Sequence, residues 1–169
     1  KKFNWKKLSL QTTKLILDVA KENKNTKFIF KTKPNESLEE LKIVKKYNLK
    51  NCSIIQGGTS NILIGNSKAI IAFNTTGIFE GLILNKNLII PKFKDYTIQT
   101  YKKYCPNLSG MVFEPNNEFK MKKILNNIIN NNLNFKIKSS KKNKLLKEHF
   151  NSIKGKSGEE LRKFLIKRI

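Results

Sequence analysis

The chain of 169 residues carries 35 Lys and Arg against 12 Asp and Glu, a formal charge of +23, and is 38% hydrophobic with 11 Phe. That length and apolar content suit one core-forming domain with an extension and exclude wholesale disorder. Two cysteines, Cys52 and Cys105, and one histidine, His149, exclude a disulfide scaffold and offer no metal-ligand spacing, and no apolar run approaches the roughly 20 residues of a membrane span.

In chain order, Leu10, Thr13, Leu17 and Ala20 recur at helical spacing and predict a helix over about 10–22, capped by Ser9 or Thr12. Phe28-Ile29-Phe30 reads as a short buried strand running into Lys31-Thr32-Lys33-Pro34. Ser37-Leu38-Glu39-Glu40 matches a capping box that opens a second helix to about Tyr47. Ser53-Ile54-Ile55 is a strand, followed by the turn-prone Gly57-Gly58-Thr59-Ser60 and a short helix over about 61–65. Ala69-Ile70-Ile71-Ala72-Phe73 is the strongest strand, apolar throughout as when both sheet faces are covered. It leads through Asn74-Thr75-Thr76-Gly77 into a helix over about 78–84. Leu88-Ile89-Ile90-Pro91 and Met111-Val112-Phe113 are further strands. A polar helix follows Asn117 to about Asn131, residues 136–148 form a Lys-rich connection, and Ser157-Gly158-Glu159-Glu160 caps a final helix through Leu161, Phe164, Leu165 and Ile169.

Strands alternating with helices at this spacing imply βαβ units, hence an α/β fold with a mostly parallel sheet and helices on both faces. Right-handed crossovers gather the strand-to-helix loops at the carboxyl edge of such a sheet, where ligands bind. One domain is expected over 1–135. Residues 136–169 are expected to form a basic connection and a C-terminal helix that packs back on that domain or on a missing N-terminal half.

The charge invites a nucleic-acid reading, since dense Lys attracts phosphate polymers without a sequence code. Yet 33 of the 35 cations are Lys, only Arg162 and Arg168 are Arg, and Asn occurs 22 times. That is the signature of an AT-rich coding sequence at solvent-tolerant positions, and the bidentate phosphate and guanine reader is nearly absent. Tyr96, Tyr101 and Tyr104 with Lys102 and Lys103 come nearest to interleaved aromatics and cations, but the helical spacing of Tyr101 and Tyr104 better suits packing against the domain. Nucleic acid is therefore not the expected partner, and a basic nucleic-acid-binding module stays as the alternative function.

Asn74-Thr75-Thr76-Gly77 delivers two hydroxyls and a glycine from a buried strand to a helix start, where N–H groups and the dipole favour a phosphate. Glu80, one turn on, suits the two hydroxyls of a ribose. The same residues equally fit an ordinary N-cap with a first-turn acid. Lys31 and Lys33, two apart after a strand, are placed to neutralise a phosphate, or are two more solvated lysines. Gly57, Gly58, Thr59 and Ser60 suit a loop that holds a base or a phosphate with backbone N–H groups, or a plain tight turn, and they match neither GxxxxGK[ST] nor GxGxxG. Asp95 follows a strand end and suits an N-cap. No residue is nominated as the catalytic base.

The order FIFKTKP, a Gly-rich turn, AIIAFNTTGIFEGLILNKNLIIP and HFNSIKGKSGEELRKFLIKRI resembles the carboxyl-terminal half of bacterial capsule and surface-polysaccharide glycosyltransferases of the GT-B type. The resemblance spans nearly the whole chain. It implies a Rossmann-like domain, one half of a GT-B fold, that holds a nucleotide-sugar donor for transfer to a polysaccharide or glycolipid acceptor. Lys31, Lys33, Thr75, Thr76 and Gly77 would then bind the donor phosphate, with Glu80 and Asn74 on ribose or sugar hydroxyls. Lys33 stands where relatives carry the histidine of a His-Pro motif, and lysine supplies charge but is a poor general acid without a lowered pKa. The resemblance further implies a missing N-terminal domain that supplies the acceptor base; no metal is expected from the cysteine and histidine count, and no cofactor beyond the nucleotide-sugar substrate. The lack of a spanning apolar run and of a secretory segment suggests a cytoplasmic location, and the charge suggests peripheral association at an anionic membrane surface. A half of a related sugar-nucleotide epimerase or glycerophosphate-polymer transferase shares these features. The opening Lys1 in place of Met suggests a fragment or processed chain.

Overall fold

The computed structural model describes residues 5–32, 39–73, 75–93, 107–137 and 139–150. They form α1 (Trp5–Glu22), β1 (Phe28–Thr32), α2 (Glu39–Tyr47), β2 (Cys52–Gln56), α3 (Asn61–Asn66), β3 (Ala69–Ile71), α4 (Gly77–Ile83), β4 (Asn87–Ile89), α5 (Glu118–Ile129) and α6 (Ser139–Phe150). The chain divides into two compact units between Phe135 and Lys136.

In the first unit every strand pairing among the described residues is parallel, as the βαβ spacing requires. β1 pairs with β2 from Phe28 opposite Cys52 to Thr32 opposite Gln56, and β3 pairs with β4 from Ala69 opposite Asn87 to Ile71 opposite Ile89. A third segment extends the β3–β4 ladder, because Phe113 N donates to Leu88 O, Ile90 N to Phe113 O and Lys92 N to Pro115 O. The fold is thus mixed α/β with two small parallel sheets. The single continuous sheet expected from the sequence is divided between β1 and β3, which share no ladder.

Alternation along β3 explains the layering, since successive side chains leave opposite faces of a strand. Ala69, Ile71 and Phe73 pack against a cluster built from Leu8, Leu15 and Val19 of α1, Ile89 and Phe93, and Met121, Leu125 and Ile128 of α5. Ile70 leaves the other face with Leu88, where α4 lies so close that a methyl group added at Gly81 would stand 2.7 Å from Leu88 Cδ2 and 2.8 Å from Ile70 Cδ1. Gly81→Val should therefore lower stability by about 1–3 kcal/mol, read as a fall in urea midpoint at unchanged slope, although any side chain improves helix propensity over glycine.

α1 begins at Trp5, earlier than the apolar spacing suggests. Ser9 and Thr12 lie inside it and do not cap it; Thr12 is 2% exposed, and Leu8 belongs to the core, so packing carries the helix one and a half turns further. Trp5 closes edge-on over Phe73, with ring centroids 6.2 Å apart. The capping box before α2 falls partly outside the described residues. Asparagine does structural work that composition hides. Asn48, Asn85 and Asn131 take positive φ of 47°, 52° and 59° just beyond α2, α4 and α5, the left-handed position that ends helices. Buried Asn87 donates to Lys68 O at 3.1 Å and accepts from Phe135 N at 2.8 Å.

In the second unit, the stretch expected to be a Lys-rich connection is helical over Ser139–Phe150, with Leu145 and Leu146 buried. The two adjacent leucines and the scarcity of glycine and proline allow a helix that a count of apolar residues misses. The final helix expected from Ser157 lies outside the described residues. No described helix is long and apolar enough to cross a membrane.

Candidate functional site

The loops after β2 and β3 lead into α3 and α4, which pack on each other. Gly77 at the start of α4 is buried, and a Cβ there would lie 3.4 Å from Ile64 Cδ1 near the end of α3. The opposite ends also meet: Gly58, Thr59, Ser60 and Asn61, at and before the start of α3, share a cleft of about 550 Å³ with Glu80, Ile83 and Leu84 of α4 and its C-terminal turn. The two helices thus run antiparallel, and that orientation carries Glu80 to the Gly-rich turn.

The turn itself depends on glycine. Gly57 and Gly58 have φ of 69° and 70°, a consecutive left-handed pair that residues with a Cβ resist. Gly57 N donates to Thr32 O at 3.1 Å, and Lys31 Nζ donates to the same oxygen at 2.9 Å. The Lys31 ammonium therefore sits at the carboxyl end of β1, beside the first glycine. Asn61 Oδ1 accepts from Ile62 N at 2.8 Å.

Glu80 is half-buried, and its Oε2 is buried with no hydrogen-bond partner among the described residues. A carboxylate oxygen in that state is unfavourable until a donor reaches it. The rest of the cleft offers hydroxyls, an amide and backbone on one side and the half-exposed Ile83 and Leu84 on the other, with no cation in its lining. Such a surface suits a ligand portion rich in hydroxyl or N–H donors with an apolar face.

Thr75, Thr76 and Gly77 occupy the start of α4 as expected, but its N–H groups are already engaged. Gly77 N approaches Thr75 Oγ1 at 3.4 Å, Ile78 N donates to Thr75 O at 3.2 Å, and Phe79 N to Thr76 O at 2.9 Å. Thr76 makes no side-chain cap. An anion there would meet the exposed Thr75 and Thr76 hydroxyls and not a row of open N–H groups. Neither threonine lines the cleft that holds Gly58, Thr59 and Glu80. Lys33, Asn74, Asp95 and Cys105 lie outside the described residues. Ser60 belongs to the Gly-rich turn already read as a candidate loop, whereas Asn61, Ile83 and Leu84 complete the cleft with no such signal in the sequence. The signal for the last two is that apolar side chains at a helix end remain 52% and 47% exposed, which only the packing reveals.

Burial pushes the Cys52 thiol upward from its ordinary pKa, so it is a poor nucleophile and a small strand side chain. No group of three His, Cys, Asp or Glu side chains that could hold a metal occurs among the described residues. No family model, curated protein or solved structure matches the chain.

Proposed function

We propose that this chain is the donor-binding half of a nucleotide-sugar-dependent glycosyltransferase of surface-polysaccharide synthesis. The observation that carries the reading is the unpartnered Glu80 oxygen in a cleft shared with the Gly57-Gly58-Thr59-Ser60 turn. The motif order set out above supplies the reaction class, and the cleft supplies a ligand chemistry compatible with it. Glu80 would accept from the ribose hydroxyls, Ile83 and Leu84 would cover an apolar face, and Lys31 with the Thr75 and Thr76 hydroxyls would meet phosphate. The strand pairing supports a Rossmann-like sheet. Phe28 of β1 and Ala69 and Ile71 of β3 pack against one core cluster, so the two ladders joined edge to edge there would give the order β2-β1-β3-β4, with the Phe113 segment beyond β4. In that order the chain reverses between β1 and β3, and ligands bind beyond the carboxyl ends at such a point.

In the transfer the bond from the sugar C1 to the donor phosphate oxygen breaks as an acceptor hydroxyl attacks. Stabilising charge on the departing phosphate is the task of this half. Orienting and deprotonating the acceptor would fall to another domain, so the chain alone should bind donor weakly and transfer nothing.

Calorimetric titration of uridine and cytidine diphosphates, with pyrophosphate as reference, tests the reading. Glu80→Gln should weaken nucleotide binding about tenfold while leaving pyrophosphate unchanged, the effect of losing one charge-assisted hydrogen bond. Thr76→Val should weaken both. If Glu80 serves only the helix dipole, its replacement lowers stability by at most about 1 kcal/mol and leaves nucleotide affinity unaltered, which refutes the assignment.

A further inference from the structure

We infer that the groove between the Glu114-Pro115 strand end and α5 is a second site, which binds a phosphate monoester. The groove, about 260 Å³, is lined by Glu114, Pro115, Lys120, Lys123, Ile124 and Asn127. It opens where the third segment of the β3–β4 sheet ends, since Phe113 pairs with Ile89 in parallel and Lys92 N donates to Pro115 O at 2.8 Å. That is the carboxyl edge, the side on which parallel sheets take ligands.

Three features fix the charge it would accept. Lys120 and Lys123 stand three residues apart on α5, a spacing that brings their side chains to one flank, and Asn127 follows one turn after Lys123. Both lysines are exposed, and neither ammonium has a partner among the described residues. The one acid in the lining is balanced in charge, for Lys92 Nζ lies 2.5 Å from Glu114 Oε1 with both side chains about four-fifths buried, although the approach lacks hydrogen-bond geometry. The groove therefore presents two uncompensated positive charges and an amide donor. A phosphate monoester carries about −1.5 to −2 at pH 7 and several acceptor oxygens, which answers both. Pro115 and Ile124 form an apolar wall for a small organic portion.

The site is independent of the Glu80 cleft and shares no residue with it, so each stands or falls on its own variants. The competing explanation is general attraction to a chain of charge +23, and the test removes the same charge in two places. Glucose 1-phosphate is titrated into the full chain, the Lys120→Gln/Lys123→Gln variant and a Lys14→Gln/Lys45→Gln variant altered on α1 and α2. Vesicles of phosphatidylcholine with phosphatidic acid form a parallel arm. We expect saturable binding that falls at least tenfold in the first double variant and less than twofold in the second. If the contrast appears with vesicles and not with glucose 1-phosphate, the site stands and the monoester is a lipid headgroup. Equal losses in the two double variants, or no saturable binding of either probe, overturn the inference.

Discussion

Replacing Ile89 by alanine should remove about 2–5 kcal/mol of folding stability, the range for deleting a fully buried aliphatic side chain and leaving the space it filled. Ile89 is 0% exposed and lies on β4, the middle strand of its sheet, with Ile71 on one side and Phe113 on the other. Its side chain joins the cluster in which α1 and α5 cover the sheet, so three elements lose contact at once. Domains of this size are stable by about 5–15 kcal/mol, which makes the loss a large share of the total. Equilibrium urea unfolding reads it as a lower midpoint at constant slope. Ile83→Ala is the control. That side chain is 52% exposed at the cleft rim and should change stability by about 0.5 kcal/mol or less. Equal effects at the two positions would mean that the core is not where these contacts place it.

The second large effect is expected at Asn51. Its Nδ2 donates to Ala20 O at 2.9 Å, Asn23 O at 3.1 Å and Thr26 O at 3.0 Å, while its own carbonyl accepts from Phe28 N at 2.8 Å. One side chain thus ties the end of α1 and the turn after it to the start of the β1–β2 ladder. Asn51→Asp keeps the shape but puts an acceptor-only carboxylate against three carbonyl oxygens. It should cost about 2–4 kcal/mol, from the lost hydrogen bonds and the repulsion between the carboxylate and those three oxygens. Asn51→Ala, which leaves room for water at a half-buried position, should cost less. Amide hydrogen exchange would locate the damage, with Phe28 and Cys52 losing protection first. If Asn51→Asp unfolds at the wild-type midpoint, the three contacts carry no energy and the asparagine is replaceable.

Much of the element list is readable from local pattern. Apolar runs of three to five residues between turn signals mark β1 to β4, since a short strand in a covered sheet needs side chains that tolerate burial on both faces. Asn117 before a periodic stretch marks the start of α5, where its Oδ1 accepts from Lys120 N at 2.8 Å as a cap should. The spacing of helices between strands is enough to require parallel pairing. The weaker readings are those where burial outweighs local signals. Leu8 extends α1 through two residues suited to capping, and Leu145 with Leu146 accompanies a helix in a stretch whose lysines resemble a linker.

Composition misjudged asparagine in the same way. Its abundance fits an AT-rich coding sequence, yet Asn51 and Asn87 hold separate segments together, and Asn48, Asn85 and Asn131 take the left-handed conformation beyond three helices. Such roles depend on which carbonyls lie nearby, and no spacing rule in the chain records that.

The sequence by itself determined the residue types available to each loop, the parallel sense of the strands and the glycines that the turn at Gly57 and Gly58 requires. The tertiary structure alone decided which loops meet. Antiparallel packing of α3 on α4 sets Glu80 beside Gly58, Thr59 and Ser60, and separates that cleft from the Thr75 and Thr76 hydroxyls at the other end of the same short helix. The extension of the β3–β4 ladder by Phe113 likewise brings Glu114 and Pro115 to Lys120 and Lys123. The physical reason is range. Period and capping act over one or two helical turns, whereas the meeting of distant loops follows from strand pairing and from close approaches such as that of Gly81 to Leu88.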